Sequence, residues 1–173
     1  ATGALASVVL YLLTSSQPHI AEIGQISQTQ HFRNVLRHKV ITSPRLLSLR
    51  VDENLFFANA VHLQRFIEER MSDRAMLQHV VLNCVSVSQI DRSALDVLEA
   101  LNKKLSDAGI GFHLSELKGP VEDRLGSNDF LAHLNGRVFL HHYQAVSALD
   151  AVVYPPLHFT SATIEDVEAG SHI

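Results

Sequence analysis

With 173 residues, the chain has the size of one ordinary domain built on a single core. Hydrophobic residues at 46% against 18% charged exclude a disordered chain, and a net charge of -4 with a pI near 6.2 excludes the basic footprint that binding a nucleic-acid backbone demands. A single cysteine, Cys84, excludes an internal disulfide and the usual zinc patterns; set in the apolar run "VVLNCV", it reads as a small core residue of a protein kept in a reducing compartment.

In chain order, the first feature is "LASVVLYLL", Leu5 to Leu13, followed by the turn-like "TSSQP". Crossing a bilayer takes about 20 apolar residues, so this run is too short to span one, and it lacks the basic region of a signal peptide. Two readings stand: a short element packed on the domain, or the end of a transmembrane helix. From Thr14 to Asp52 five cations (Arg33, Arg37, Lys39, Arg45, Arg50) face two acids (Glu22, Asp52), an excess that marks the cytoplasmic side of a membrane segment.

"HIAEIGQI" (19–26) alternates as a strand, and "QTQHFRNVLRH" leads toward an edge strand at "KVIT" (39–42). "LLSLRVD" (46–52) is the next strand. Leu63, Phe66, Ile67 and Met71 fall at helical spacing over 58–71, which leads into the strand "HVVLNCV" (79–85). Leu95, Leu98, Leu101 and Leu105 predict a helix over 93–107, closed by Gly109 in a left-handed cap. "GFHLSEL" (111–117) is a strand, "GPVEDRL" opens a helix with Pro120 in its first turn, "RVFL" is a short last strand and "YQAVSALDAVV" a last helix. The tail beyond "YPPLHF" is polar and acidic. Strands alternating with single helices predict an α/β fold in which 46–52, 79–85 and 111–117 run parallel, while the early strands make the sheet mixed.

The turn "SQIDRSAL" (88–95) follows the carboxyl end of a parallel strand and leads into a helix, where open α/β sheets present ligand sites. Asp91 or Ser93 can cap that helix, and Ser93 with Asp96 matches the S-x-x-D capping box. The sharper reading makes Ser93 a regulated hydroxyl, since the free N–H groups and dipole of a helix start favour a phosphate. Catalytic patterns are thin. The eleven histidines are scattered, and adjacent His141 and His142 point to different faces, poor geometry for sharing a metal. G-x-S-x-G, H-E-x-x-H and P-loop motifs are absent from the sequence, and a Ser93, His113 and Asp91 triad has nothing in the sequence to place a base at the hydroxyl. The expectation is no enzyme, no metal and no cofactor.

"LLSLRVDENLFFANAVHLQRFIEER" and "VVLNCVSVSQIDRSALDVLEALNKKLSDAGIGFHLSELKGPVEDRL" resemble the STAS domain (sulfate transporter and anti-sigma-factor antagonist) of bacterial SulP anion transporters, over about residues 19–153. "LRVDENLFFANA", with Phe57, Ala58 and Asn59, carries the transporter branch. "IDRSA" matches the wider pattern Asp, any residue, Ser, Gly, placing Ser93 where free-standing bacterial antagonists are phosphorylated; Ala94 replaces the Gly and Asn83 a common Asp.

The resemblance implies a STAS-like mixed β-sheet with a parallel core flanked by α-helices. It divides the chain into residues 1–16 as the end of the last transmembrane helix and linker, 17–155 as the domain and 156–173 as a tail. The implied role is a non-catalytic regulatory and assembly domain of a sulfate-permease-type transporter, on the cytoplasmic face of the bacterial inner membrane. Asp91 and Ser93 become the phospho or contact site, with Ser88, Arg92 and Asp96 extending the contact surface. The implied partners are the transporter's own transmembrane domain, then a soluble regulatory protein or nucleotide and a second copy of the chain. The alternative is a free-standing anti-sigma-factor antagonist switched by phosphorylation of Ser93; a small hydrolase using Ser93 ranks last.

Overall fold

The computed structural model describes residue 7 and residues 19–157. The expected membrane run over 5–13, its linker and the tail beyond 157 lie outside the described residues, Ser7 excepted.

Six strands form one sheet in the order β2-β1-β3-β4-β5-β6: β1 (Ile20–Gln25), β2 (Phe32–Asn34), β3 (Leu46–Val51), β4 (His79–Asn83), β5 (Gly111–Ser115) and β6 (Val138–Phe139). β3 to β6 run parallel, and β1 lies antiparallel to both β2 and β3, so the mixed sheet with a parallel core is as expected. The expected edge strand moves from 39–42 to 32–34, where buried Phe32 pairs with Gln25. Residues 39–42 pair with the sheet only at the bridge between Gln25 and Ile41, because the chain then turns at Ser43, whose hydroxyl donates to the buried Asp150 carboxylate at 2.6 Å.

α1 (Phe57–Asp73) and α2 (Arg92–Asp107) cover one face of the sheet. Leu63 and Ile67 of α1, and Leu95, Leu98, Leu101 and Leu105 of α2, pack there on Leu47, Leu49, Val80, Leu82, Phe112 and Leu114. Gly109 ends α2 with φ 72°, the left-handed conformation open to a residue without Cβ. α3 (Gly119–Gly126) has Pro120 in its first turn. The sequence reading missed α4 (Phe130–His133), since four residues are too few to display a helical period; buried Phe130 holds it to the same core.

The other face carries α5 (His142–Leu149), and the second core there gathers Ile23 and Phe32 of the β1–β2 hairpin with Leu46, Val81, Val146 and Tyr154. α5 stops short of its predicted end at 153: Asp150 closes it, binding Arg45 at 2.7 Å as well as Ser43. Burial pushes the Asp150 carboxyl up, but these hydrogen bonds outweigh it and hold the group below the usual range.

Candidate functional site

Three connections leave the carboxyl edge of the parallel strands together: 52–56 after β3, 84–91 after β4 and 116–118 after β5. Asn54 fastens the first to the second. Its Oδ1 accepts the N–H of Ser88 at 2.8 Å and of Gln89 at 3.0 Å, while Leu55 N donates to Gln89 O and Asp91 N to Leu55 O. Asn59, in the first turn of α1, secures Asn54 in turn, donating to its carbonyl at 2.5 Å and accepting the Phe56 N–H at 2.7 Å. Lys118 ties in the third connection by donating to Ser88 Oγ at 2.9 Å.

Asp91 is the residue that caps α2: its carboxylate accepts the Ala94 N–H at 2.6 Å. Ser93 is therefore the second residue of the helix, and the S-x-x-D capping box expected for Ser93 and Asp96 does not form. Asp96 instead pairs with Arg92 at 3.1 Å. Ser93 is exposed, and its hydroxyl makes no hydrogen bond among the described residues. His113 stands on the opposite face of the sheet from α2, which disposes of a Ser93 triad. Its Nδ1 accepts the Arg137 N–H at 3.0 Å, so its proton sits on Nε2, 3.2 Å from His79 Nδ1.

Beside the turn lies an open groove of about 700 Å³, lined by Asn54, Phe56, Ser88, Asp91, Pro120 and Arg124 among others. Ser88 and Asp91 thus border the groove, while Ser93, Arg92 and Asp96 stand on the adjoining helix surface. Phe56 and Phe57 are 47% and 57% exposed, an aromatic pair left uncovered beside it. Sequence reasoning marked "LFFANA" without giving Asn54, Phe56 or Asn59 a task, and it missed Lys118 and Arg124. The available signal was an Asn just past a strand with a second Asn five residues on.

The other layer holds a buried polar cluster. His142 Nδ1 meets Ser115 Oγ at 2.8 Å and its Nε2 meets Ser48 Oγ at 3.1 Å. Burial pushes the His142 imidazole down to about 3, so it is neutral and satisfied at both nitrogens. Cys84, pushed up to about 12 by burial, is inert as a nucleophile. No group of three or more metal-ligating side chains occurs among the described residues.

The family model for the STAS domain matches residues 37–145. The chain belongs to the STAS domain family. It is 30% identical over 159 residues to sulfate transporter 3.2 of Arabidopsis thaliana, covering 86% of the chain and 25% of that protein. It is 32% identical over 149 residues to sulfate transporter 1.3 of the same plant, covering 79% and 23%. The STAS domain described here thus spans about a quarter of the length of these relatives. In fold it matches the murine Solute Carrier 26 family member A9 anion transporter in its inward-facing state, with a TM-score of 0.70 at 17% identity over 87% of this chain and 25% of that one. The unphosphorylated anti-sigma factor antagonist SpoIIAA shares the fold at a TM-score of 0.55 and 12% identity, over 65% of this chain and 95% of that one.

Proposed function

We propose that this STAS domain is the cytoplasmic regulatory and assembly domain of a sulfate-permease-type secondary anion transporter, non-catalytic and acting through protein contacts. One relationship in the sheet carries the reading. β1 enters antiparallel beside β3, with Ile20 opposite Val51 and Asp52 N donating to His19 O at 3.0 Å. Residue 19 therefore sits at the carboxyl edge of β3, the same rim that presents Asn54, Ser88 and Asp91. Residues 1–16 are then the end of the last transmembrane helix and its linker, and the rim faces the transporter's own transmembrane domain. Ser88, Asp91, Arg92, Ser93 and Asp96 form the contact surface. A soluble regulatory protein, a nucleotide or a second copy of the chain would meet the same rim. The membrane, on the resemblance read from the sequence, is a bacterial inner membrane. Identity to sulfate transporters over most of the chain supports the assignment.

The test is immunoblotting of fractionated cells with an antibody against this domain. The expected antigen resists alkaline extraction from membranes and runs far above 19.2 kDa. A soluble product near that mass would overturn the reading. It would favour the second one, a free-standing anti-sigma-factor antagonist, which draws on the exposed, unbonded Ser93 hydroxyl at a helix start.

A further inference from the structure

The turn that follows β2 presents an exposed apolar side chain in a short cationic stretch of the chain. Leu36 is 90% exposed, the most exposed of the large hydrophobic residues described. The turn holds it there: Asn34 Oδ1 accepts the Leu36 N–H at 2.8 Å, and Asn34 O accepts the N–H groups of Arg37 and His38, each at 3.1 Å. A side chain pinned outward this way has no core of its own to rejoin. Arg33, Arg37 and Lys39 lie within three residues of it in the chain, all exposed, and none has an ion-pair partner among the described residues.

Nearby carboxylates do not cancel this charge. Asp52 is engaged by Arg50 at 2.6 and 3.1 Å, and Glu22 by Arg74 and Arg70. Residues 19–52 hold five Lys or Arg against two acids, whereas residues 53–157 hold nine against thirteen; of the five, Arg45 and Arg50 are paired with Asp150 and Asp52, which leaves Arg33, Arg37 and Lys39 as the unpaired ones.

The turn also lies where the chain arrives. Val35 N donates to Glu22 O at 3.1 Å, and Arg33, Arg37 and His38 border one concavity with His19 and Ile20. From Leu13, the last residue of the apolar run, to His19 the chain reaches at most about 20 Å when fully extended.

We propose that this turn is a lipid-contacting surface: Leu36 enters the interfacial region of the bilayer while Arg33, Arg37 and Lys39 engage the phosphates of anionic lipid headgroups. The proposal rests on the transporter reading for the position of the membrane. The chemistry is that of a juxtamembrane basic segment with an apolar anchor, in which charge draws the surface close and buried apolar area holds it. A protein partner would be expected to cover Leu36 with a matched apolar pocket; a fluid interface needs only depth, which suits one protruding leucine framed by long cationic side chains able to reach outward.

The experiment partitions the full 173-residue chain onto phosphatidylcholine vesicles with and without phosphatidylglycerol, at low and high salt. The apolar run at 5–13 contributes equally to the chain and to every variant, so the comparison isolates the turn. Phosphatidylglycerol should strengthen binding in a salt-sensitive way. Arg33→Glu, Arg37→Glu and Lys39→Glu together should remove that gain, with a loss of about five-fold per charge and roughly 100-fold in all. Leu36→Ser should weaken binding to the mixed vesicles by about ten-fold. All four side chains are exposed, so unchanged melting temperatures confirm that the variants are folded. Equal binding to both vesicle types, or either variant binding as the unaltered chain does, overturns the proposal. The membrane-fraction antigen that tests the transporter reading does not depend on these side chains, so that reading can stand while the lipid contact falls, and the reverse is equally visible.

Discussion

The Asn54 side chain accepts the backbone N–H of Ser88 at 2.8 Å, across 34 residues of sequence, and so joins the connection after β3 to the one after β4. With the second bond from Gln89, one amide oxygen shapes the floor of the groove. Asn54→Ala should cost about 1–2 kcal/mol in denaturant unfolding, the loss being limited because the freed donors lie at an exposed turn where water can replace the oxygen. Asn54→Asp keeps an acceptor for both and should stay within about half of that loss. Equal losses for the two variants would show that the acceptor oxygen is not what matters.

Asp91 and Ser93 separate cleanly by stability. Asp91→Ala removes the cap on Ala94 N and should lower unfolding free energy by about 0.5–2 kcal/mol. Ser93→Ala touches no hydrogen bond among the described residues and should remain within about 0.5 kcal/mol of the original. The reverse order in a thermal melt would return the capping role to Ser93.

A negative charge at Ser93 meets opposed effects. Free N–H groups and the dipole at the start of α2 favour it, but Asp91 already occupies the cap and Asp96, paired with Arg92, lies one turn away. Ser93→Asp should be neutral or mildly destabilising in the isolated domain. Its effect is expected in anion uptake by a full-length transporter carrying the change. Normal expression with unchanged uptake for both Ser93→Asp and Ser93→Ala would reject a regulatory Ser93.

Acid should loosen the second layer first. Burial pushes His142 down to about 3; burial, then His79 and Arg137, push His113 down to about 4, whereas an unfolded histidine titrates near 6.5. The unfolded chain thus binds more protons below that value, and the stability these neutral rings contribute is complete above it and falls as pH drops toward their folded values. Each histidine can contribute up to about 1.4 kcal/mol per pH unit. Asp150 and Glu68, held below ordinary carboxylate values, add their losses as pH falls through the carboxylate range, from about pH 5 downward. Melting temperature followed from neutral pH down to about 5 should therefore fall, with a shallower slope for His142→Asn. A flat profile would mean that the rings are hydrated or already charged.

β3, β4 and β5 were legible as parallel because each is a compact apolar run and one helix with a regular apolar stripe separates it from the next: Leu63, Phe66, Ile67 and Met71 in α1, and Leu95, Leu98, Leu101 and Leu105 in α2. β2 was not, because three residues carry too little pattern, and the competing "KVIT" has better strand composition but only one bridge to the sheet. At the site, "SQIDRSAL" could be placed at a strand-to-helix turn from local order alone. The choice between Asp91 and Ser93 as cap could not, since both suit the position and only backbone geometry ranks them. Asn54, Lys118 and the buried Ser48–His142–Ser115 set act between segments far apart in sequence, and no spacing rule brings such partners together. Leu36 was passed over for a related reason: an isolated leucine in a polar stretch does not reveal which way it points.

β1 has neighbours on both sides, β2 and β3, and both ladders run antiparallel to it. A load applied along the chain at His19 acts parallel to the strand and across hydrogen bonds that lie perpendicular to it, so the bonds are sheared together instead of opened one by one. Strand β1 is then a stiff coupling, and displacement of its leading end would be delivered to the sheet as a rigid-body movement before any strand peels away. Asn54 and Lys118 hold the rim to that sheet, so the groove and the start of α2 would travel with it. The turn after β2 that bears Leu36, joined to β1 through Val35 N and Glu22 O, would travel as well.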